Sequence, residues 1–182
     1  MKAWPVLAVA TLALLVAGCR SPTPPRGVAP LQGFDLARYL GRWYEVARLD
    51  NRFERGLTQV SADYSLRSDG AVRVVNRGYD ARRGRWRQSE GRADFTGSPT
   101  RAALKVSFFG PFYGGYNVIA LDAAYRYALV CGPDRDYLWL LSRTPTMPLA
   151  VRQAYVDLAA RLGFPTARLH WVQPENDTPP TR

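Results

Sequence analysis

Catalysis or metal binding needs titratable side chains held close together, and this 182-residue chain spreads them apart. It has one histidine, His170, near the C-terminus. A lone imidazole builds neither a metal site nor a Ser-His-Asp array, so it reads as a packed or surface residue. Glu45, Glu54 and Glu90 are scattered, and Glu90 stands between Arg87 and Arg92, which suits charge pairing better than general-acid work. No phosphate loop and no nucleophile motif is present. Cys131 falls within an apolar run and reads as a small buried hydrophobe. The residue types argue against an enzyme and imply no metal and no cofactor.

The other cysteine, Cys19, has a different setting. Met1-Lys2 is a short positive start, and Ala3 to Val16 is an apolar run of fourteen residues. That run is short for a bilayer span. Val16-Ala17-Gly18-Cys19 follows, and the order of charge, apolar run, small residues and Cys resembles the bacterial lipobox. The resemblance implies a signal peptide over 1–18, a Cys19 carrying diacylglyceryl and N-acyl groups, and a membrane anchor. Several buried acyl chains hold far better than one, at about 0.8 kcal/mol per methylene. Position 20 is Arg rather than the Asp of the inner-membrane retention pattern, which implies delivery to the outer membrane, facing the periplasm or the surface. Residues 19–33, with Pro22, Pro24, Pro25 and Pro30, read as an extended tether.

The remaining length suits one domain over 34–173 and a polar tail over 174–182. Net charge is +10, carried almost wholly by Arg, since Lys2 and Lys105 are the only lysines. A solvated Arg-rich surface and contact with anionic lipid head groups both fit this charge. Nucleic acid does not, because the Arg residues are scattered without an accompanying motif.

Period-two patterning dominates the middle of the chain. Strands are expected at 43–50, 59–66, 71–79, 85–95, 103–109, 115–121, 125–131 and 137–143, joined by short turns such as Ser68-Asp69-Gly70. The period then becomes 3.6: Val151, Tyr155, Leu158 and Leu162 share one helix face, with Thr146 or Pro148 at its start and Gly163 at its end. Residues 169–172 form a last short strand. The expected fold is all-β: an eight-stranded up-and-down antiparallel barrel with one C-terminal α-helix packed outside.

In such a barrel the start of the first strand and the end of the last share a rim. Trp43 and Arg143 would then be neighbours, an indole face under a guanidinium. Alternation puts Leu141, Trp139 and Tyr137 on the face of Arg143, so Trp139 is a candidate cavity wall about 13 Å above the plug. Loops 51–58, 80–84, 110–114 and 133–136 lie at the other rim. They carry Arg52, Phe53, Arg55, Arg82, Arg83, Phe112, Tyr113 and Arg135. An aromatic, Arg-lined mouth suits a ligand with an apolar tail and an anionic head. Exposed Arg is also common in loops that bind nothing.

The stretches Tyr39-Leu40-Gly41-Arg42-Trp43-Tyr44-Glu45, Phe108-Phe109-Gly110-Pro111-Phe112-Tyr113-Gly114-Gly115-Tyr116 and Cys131-Gly132-Pro133-Asp134-Arg135-Asp136-Tyr137-Leu138-Trp139 carry a resemblance. From about Phe34 to Val172 the chain resembles the lipocalin family, and within it the bacterial lipocalins. By motif match, Gly41 and Trp43 are the family's first signature and Arg143 its third. The second departs from the Thr-Asp-Tyr pattern, since Leu121-Asp122-Ala123-Ala124-Tyr125 spreads Asp and Tyr apart. The resemblance implies a calyx for fatty acids or phospholipids, lysophospholipids above all, a homodimer, and lipid storage or transport for envelope upkeep under stress.

The first functional reading is thus a lipid carrier, with ligand contacts from Trp139, Phe53, Tyr113, Arg82 and Arg135. The second is a structural or interaction lipoprotein whose small barrel is filled by its own side chains. The third, a lipid-active enzyme, would depend on a single acid or on His170.

Overall fold

The alternation of apolar and polar residues becomes a closed sheet. The computed structural model describes residues 22–172, so the expected signal peptide, Cys19 and the polar tail lie outside the described residues. A short helix, α1 (Leu36–Tyr39), begins after Asp35, whose carboxylate accepts from the backbone N–H groups of Ala37 and Arg38. Eight strands follow: β1 (Gly41–Leu49), β2 (Leu57–Leu66), β3 (Val72–Asp80), β4 (Arg85–Phe95), β5 (Ala103–Phe109), β6 (Phe112–Leu121), β7 (Tyr127–Cys131) and β8 (Leu138–Ser142). Each pairs antiparallel with the next, β8 returns to β1, and β1 also pairs with β2. Closure leaves no unpaired edge among these strands. A ninth strand, β9 (Leu169–Trp171), pairs with Ala47–Leu49 of β1 after β2 has diverged.

Two cores result. The inner one contains Trp43, Tyr64, Val72, Val74, Leu104, Val118, Val130 and Leu141. The outer one lies between the sheet and the helix α2 (Leu149–Arg161). It joins Leu49, Ile119, Leu129, Leu138 and Leu140 to Val151, Tyr155, Leu158 and Leu162, the face expected from the 3.6-residue period. Gly163 ends the helix with φ +81°, a left-handed conformation that favours glycine. Cys131 is buried and free in the outer core, and burial pushes its thiol up to about 12.

A bulge between Glu45 and Ala47 shifts the pairing of β1 with β8. Before it, Trp43 belongs to the inner core; beyond it, Ala47 and Leu49 belong to the outer core. Arg48 alternates with them and is fully buried.

The chain before α1 departs from the extended tether expected of it. The Leu31 N–H donates to the Val118 carbonyl (3.0 Å) and the Leu31 carbonyl accepts from Ala102 (2.9 Å). Gln32 bridges Arg101, and Val28 is buried in the outer core. The prolines leave few backbone donors to solvate, and Val28 and Leu31 give the segment apolar anchors. Residues 22–33 therefore lie on the barrel wall.

Candidate functional site

The closed end of the barrel is a plug built on one tryptophan. Trp43 is fully buried, and its Nε1–H donates to the Tyr39 carbonyl at 2.8 Å. The Arg143 guanidinium lies 4.0 Å from the centre of the Trp43 ring. It donates to the carbonyls of Arg38 (2.7 Å), Tyr39 (3.1 Å), Arg42 (2.9 Å) and Tyr125 (3.2 Å). Gly41 has φ +92°, and a Cβ there would stand 3.3 Å from Arg143 Nη1. The structure thus brings Gly41, Trp43 and Arg143 together. The divergent turn after Leu121 joins them. Asp122 accepts from the N–H groups of Ala124 and Tyr127, while the Tyr125 hydroxyl accepts from Asp35 N at 3.0 Å.

Above the plug lies a cavity of about 970 Å³, at the upper end of the range for small-molecule sites. Its walls include Val60, Val72, Val74, Ala93, Leu104, Val106 and Leu141. A barrel filled by its own side chains would lack this space. Near the floor three tyrosines share their hydroxyls: Tyr39 to Tyr116 is 2.6 Å, and Tyr64 donates to Tyr116 at 3.0 Å. Burial pushes all three phenols above their ordinary range, so they stay neutral donors and acceptors at physiological pH.

A second polar cluster sits below the mouth. Glu45 lines the cavity and pairs with the buried Arg48 at 2.6 Å. Arg48 also donates to the carbonyls of Glu54 (2.8 Å) and Leu57 (3.3 Å), which fastens the β1–β2 loop. Within that loop the Asn51 side chain bonds the Glu54 carboxylate and accepts from Phe53 N. Burial, and then the neighbouring Glu54, raise the Glu45 carboxyl well above its ordinary range; Arg48 opposes them.

Of the candidate ligand residues, Trp139, Phe53 and Tyr113 line the cavity. Trp139 donates its indole N–H to Glu54 at 2.9 Å and so stands between wall and loop. The two arginines need correction. Arg135 donates to Leu162 O and Arg26 O, both at 2.9 Å, and clamps the end of α2 to the N-terminal segment outside the barrel. Its loop lies at the mouth, but the orphan carbonyl at the helix end draws its side chain outward. Arg82 lies at the tip of the β3–β4 turn and is not a lining residue; Arg52, Arg55, Arg77 and Arg87 line the mouth instead. Glu90 pairs with Arg73 across β3 and β4 at 2.6 Å, rather than with Arg87 or Arg92. Arg87 points to the opposite face by alternation, and Arg92 is held by Asp69 and Asp94. His170 is exposed on β9, away from the cavity lining.

The tyrosine cluster and the Glu45–Arg48 pair escape sequence reasoning. Tyr64 does carry the inward parity of Val60 and Ala62, but its meeting with Tyr116 across 52 residues depends on barrel closure.

A closed eight-stranded calyx plugged by Trp43 and Arg143 matches known proteins. The model of the lipocalin-like domain covers residues 34–174. The chain belongs to the lipocalin family. Outer membrane lipoprotein Blc of Escherichia coli K12 is 64% identical over 173 residues, covering 95% of this chain and 98% of the relative. Its namesake from Vibrio cholerae is 50% identical, covering 88% and 93%. Temperature-induced lipocalin-1 of Arabidopsis thaliana is 34% identical, covering 87% and 88%. Insecticyanin from Manduca sexta shares the fold, with TM-score 0.66 at 20% identity over 85% of this chain and 87% of its own. The chain is accordingly a lipocalin of the outer-membrane lipoprotein type, and lipocalins are binding proteins.

Proposed function

We propose that this lipocalin carries single-chain amphiphiles, fatty acids or lysophospholipids, in the outer membrane to which acylated Cys19 anchors it. The cavity of about 970 Å³ supports this reading most strongly, because much of its wall is aliphatic and aromatic, its arginines stand at the mouth, and the one acid deeper in the lining, Glu45, is paired with Arg48. An acyl tail would be driven in by about 0.8 kcal/mol for each methylene taken out of water, less the cost of association. Arg52, Arg55, Arg77 and Arg87 would hold a phosphate or carboxylate at the entrance. Lysophospholipid is favoured among such ligands because it places one tail in the calyx and a larger anionic group among these arginines. Storage or transport of such lipids would serve envelope upkeep under stress, and the homodimer implied by resemblance belongs to the same proposal.

Extraction and mass spectrometry of the protein purified from envelopes tests the reading. The expected result is one acyl-chain amphiphile retained per barrel. A protein that comes away empty and takes up neither ligand on incubation would contradict it.

A further inference from the structure

The outer wall of the barrel records where the N-terminal segment leads. At the closed end, Phe34 N donates to the Thr100 carbonyl at 2.8 Å. Going backward along the chain, Leu31 bonds Val118 and Ala102, and Arg26 O accepts from Arg135 of the β7–β8 loop. Pro22 O then accepts from Asn117 Nδ2 at 3.2 Å. It lies so close to β6 that a Cβ on Gly115 would stand 2.6 Å from it. The segment therefore climbs β6 from the closed rim toward the mouth and is still fixed at Pro22.

Chain length then limits the anchor. Cys19 lies three residues before Pro22, which spans at most about 10 Å when fully extended. Gly115 is three residues from the mouth end of β6 at Phe112 and six from its other end at Leu121. Those are distances of about 10 Å and 20 Å along the strand, and strand tilt shortens both in the same proportion. An anchor at Cys19 reaches the plane of the mouth and falls short of the closed rim.

The mouth is also suited to a bilayer interface. Phe53 of the β1–β2 loop, and Phe109 and Phe112 at the adjoining ends of β5 and β6, are 58%, 73% and 56% exposed. Exposed aromatic rings at a rim match the chemistry of the lipid head-group region. Beside them, the 80–87 hairpin carries Arg82, Arg83, Arg85 and Arg87 against the single Asp80, a charge that anionic head groups attract. The turns of the closed rim, 66–71, 96–102 and 122–126, carry no exposed aromatic ring among the described residues.

We infer that the open mouth lies face-down on the bilayer that holds Cys19, with Phe53, Phe109 and Phe112 in the head-group layer. A lipid would then pass between leaflet and calyx without its tail crossing water. This rests on acylation of Cys19 as proposed above.

The test uses the full acylated protein in vesicles of phosphatidylethanolamine and phosphatidylglycerol. An environment-sensitive dye is attached in Phe109→Cys, in Phe53→Cys and, at the closed rim, in Ser98→Cys; the buried Cys131 stays unlabelled. Mass spectrometry first establishes the acyl groups on Cys19. The expected result is blue-shifted emission, lost on adding spin-labelled lipid, at positions 109 and 53 and not at 98. Quenching at 98 alone, or at none of the three in acylated, vesicle-bound protein, overturns the docking and leaves the anchor and the lipid carriage standing. A protein without acyl groups that fails to float with vesicles overturns the anchor, and the docking with it.

Discussion

Arg143 performs two tasks with one side chain, since its guanidinium covers Trp43 and ties four carbonyls from α1, β1 and the β6–β7 turn. Lysine could not reproduce this, because it lacks the planar fork and the stacking face. Arg143→Gln is expected to lower stability by about 3 kcal/mol, from lost charge-assisted hydrogen bonds and the lost cation–π contact. Urea unfolding followed by fluorescence would show a lower midpoint, while ligand affinity at the distant mouth stays within about twofold. At this scale the sequence was informative where a contact followed from strand order. Trp43 and Arg143 had to meet if the first and last strands closed a barrel. Arg135 was misleading because loop position told where its Cα lies and not which orphan carbonyl its side chain reaches.

Elements were legible wherever one period persisted. The face of α2 and the order of β1 to β8 followed from alternation, and boundaries moved by only a few residues; β6, for instance, begins at Phe112 instead of Gly115. The bulge in β1 was not legible, since Glu45-Val46-Ala47 looks like any short mixed run. The 22–33 segment was not legible either, because proline richness describes an extended backbone and not what it lies against. Gly115 is the residue that lets it lie there. Gly115→Ala forces a Cβ into Pro22 O and is expected to cost about 1–3 kcal/mol through overpacking or to release the segment. Hydrogen exchange is the readout: Val28 and Leu31 amides lose protection while those of β3 keep it. Unchanged protection at Leu31 would mean that close packing at Gly115 does not hold the segment.

At the scale of the molecule, stability and binding meet in the cavity. The raised Glu45 carboxyl lines the cavity, and it links pH to folding. Its native value exceeds the unfolded one, so the native state holds the proton more tightly. The stabilisation is complete below the unfolded value, about 4.3 for a glutamate, and is lost as pH rises through the native value. Glu45→Gln, whose amide oxygen still accepts from Arg48, should flatten that part of the stability–pH curve; equal slopes in both proteins would contradict the assignment. The cavity volume itself could not be read from the sequence. Alternation gave the inward faces, and only the closed barrel shows that Trp43, Tyr39 and Tyr64 fill the floor and leave the space above open. Trp139 stands at the boundary of that space, lining it while held by Glu54. The most direct test of lipid carriage is a titration of the chain lacking its first 19 residues with lysophospholipid and with fatty acid. Tryptophan fluorescence is followed in the wild type and in Trp139→Phe. A saturable change at micromolar ligand, absent in the variant, is the expected result, with lysophospholipid the tighter ligand. No saturable change with either ligand, in protein shown to be free of lipid, would contradict carriage by this calyx.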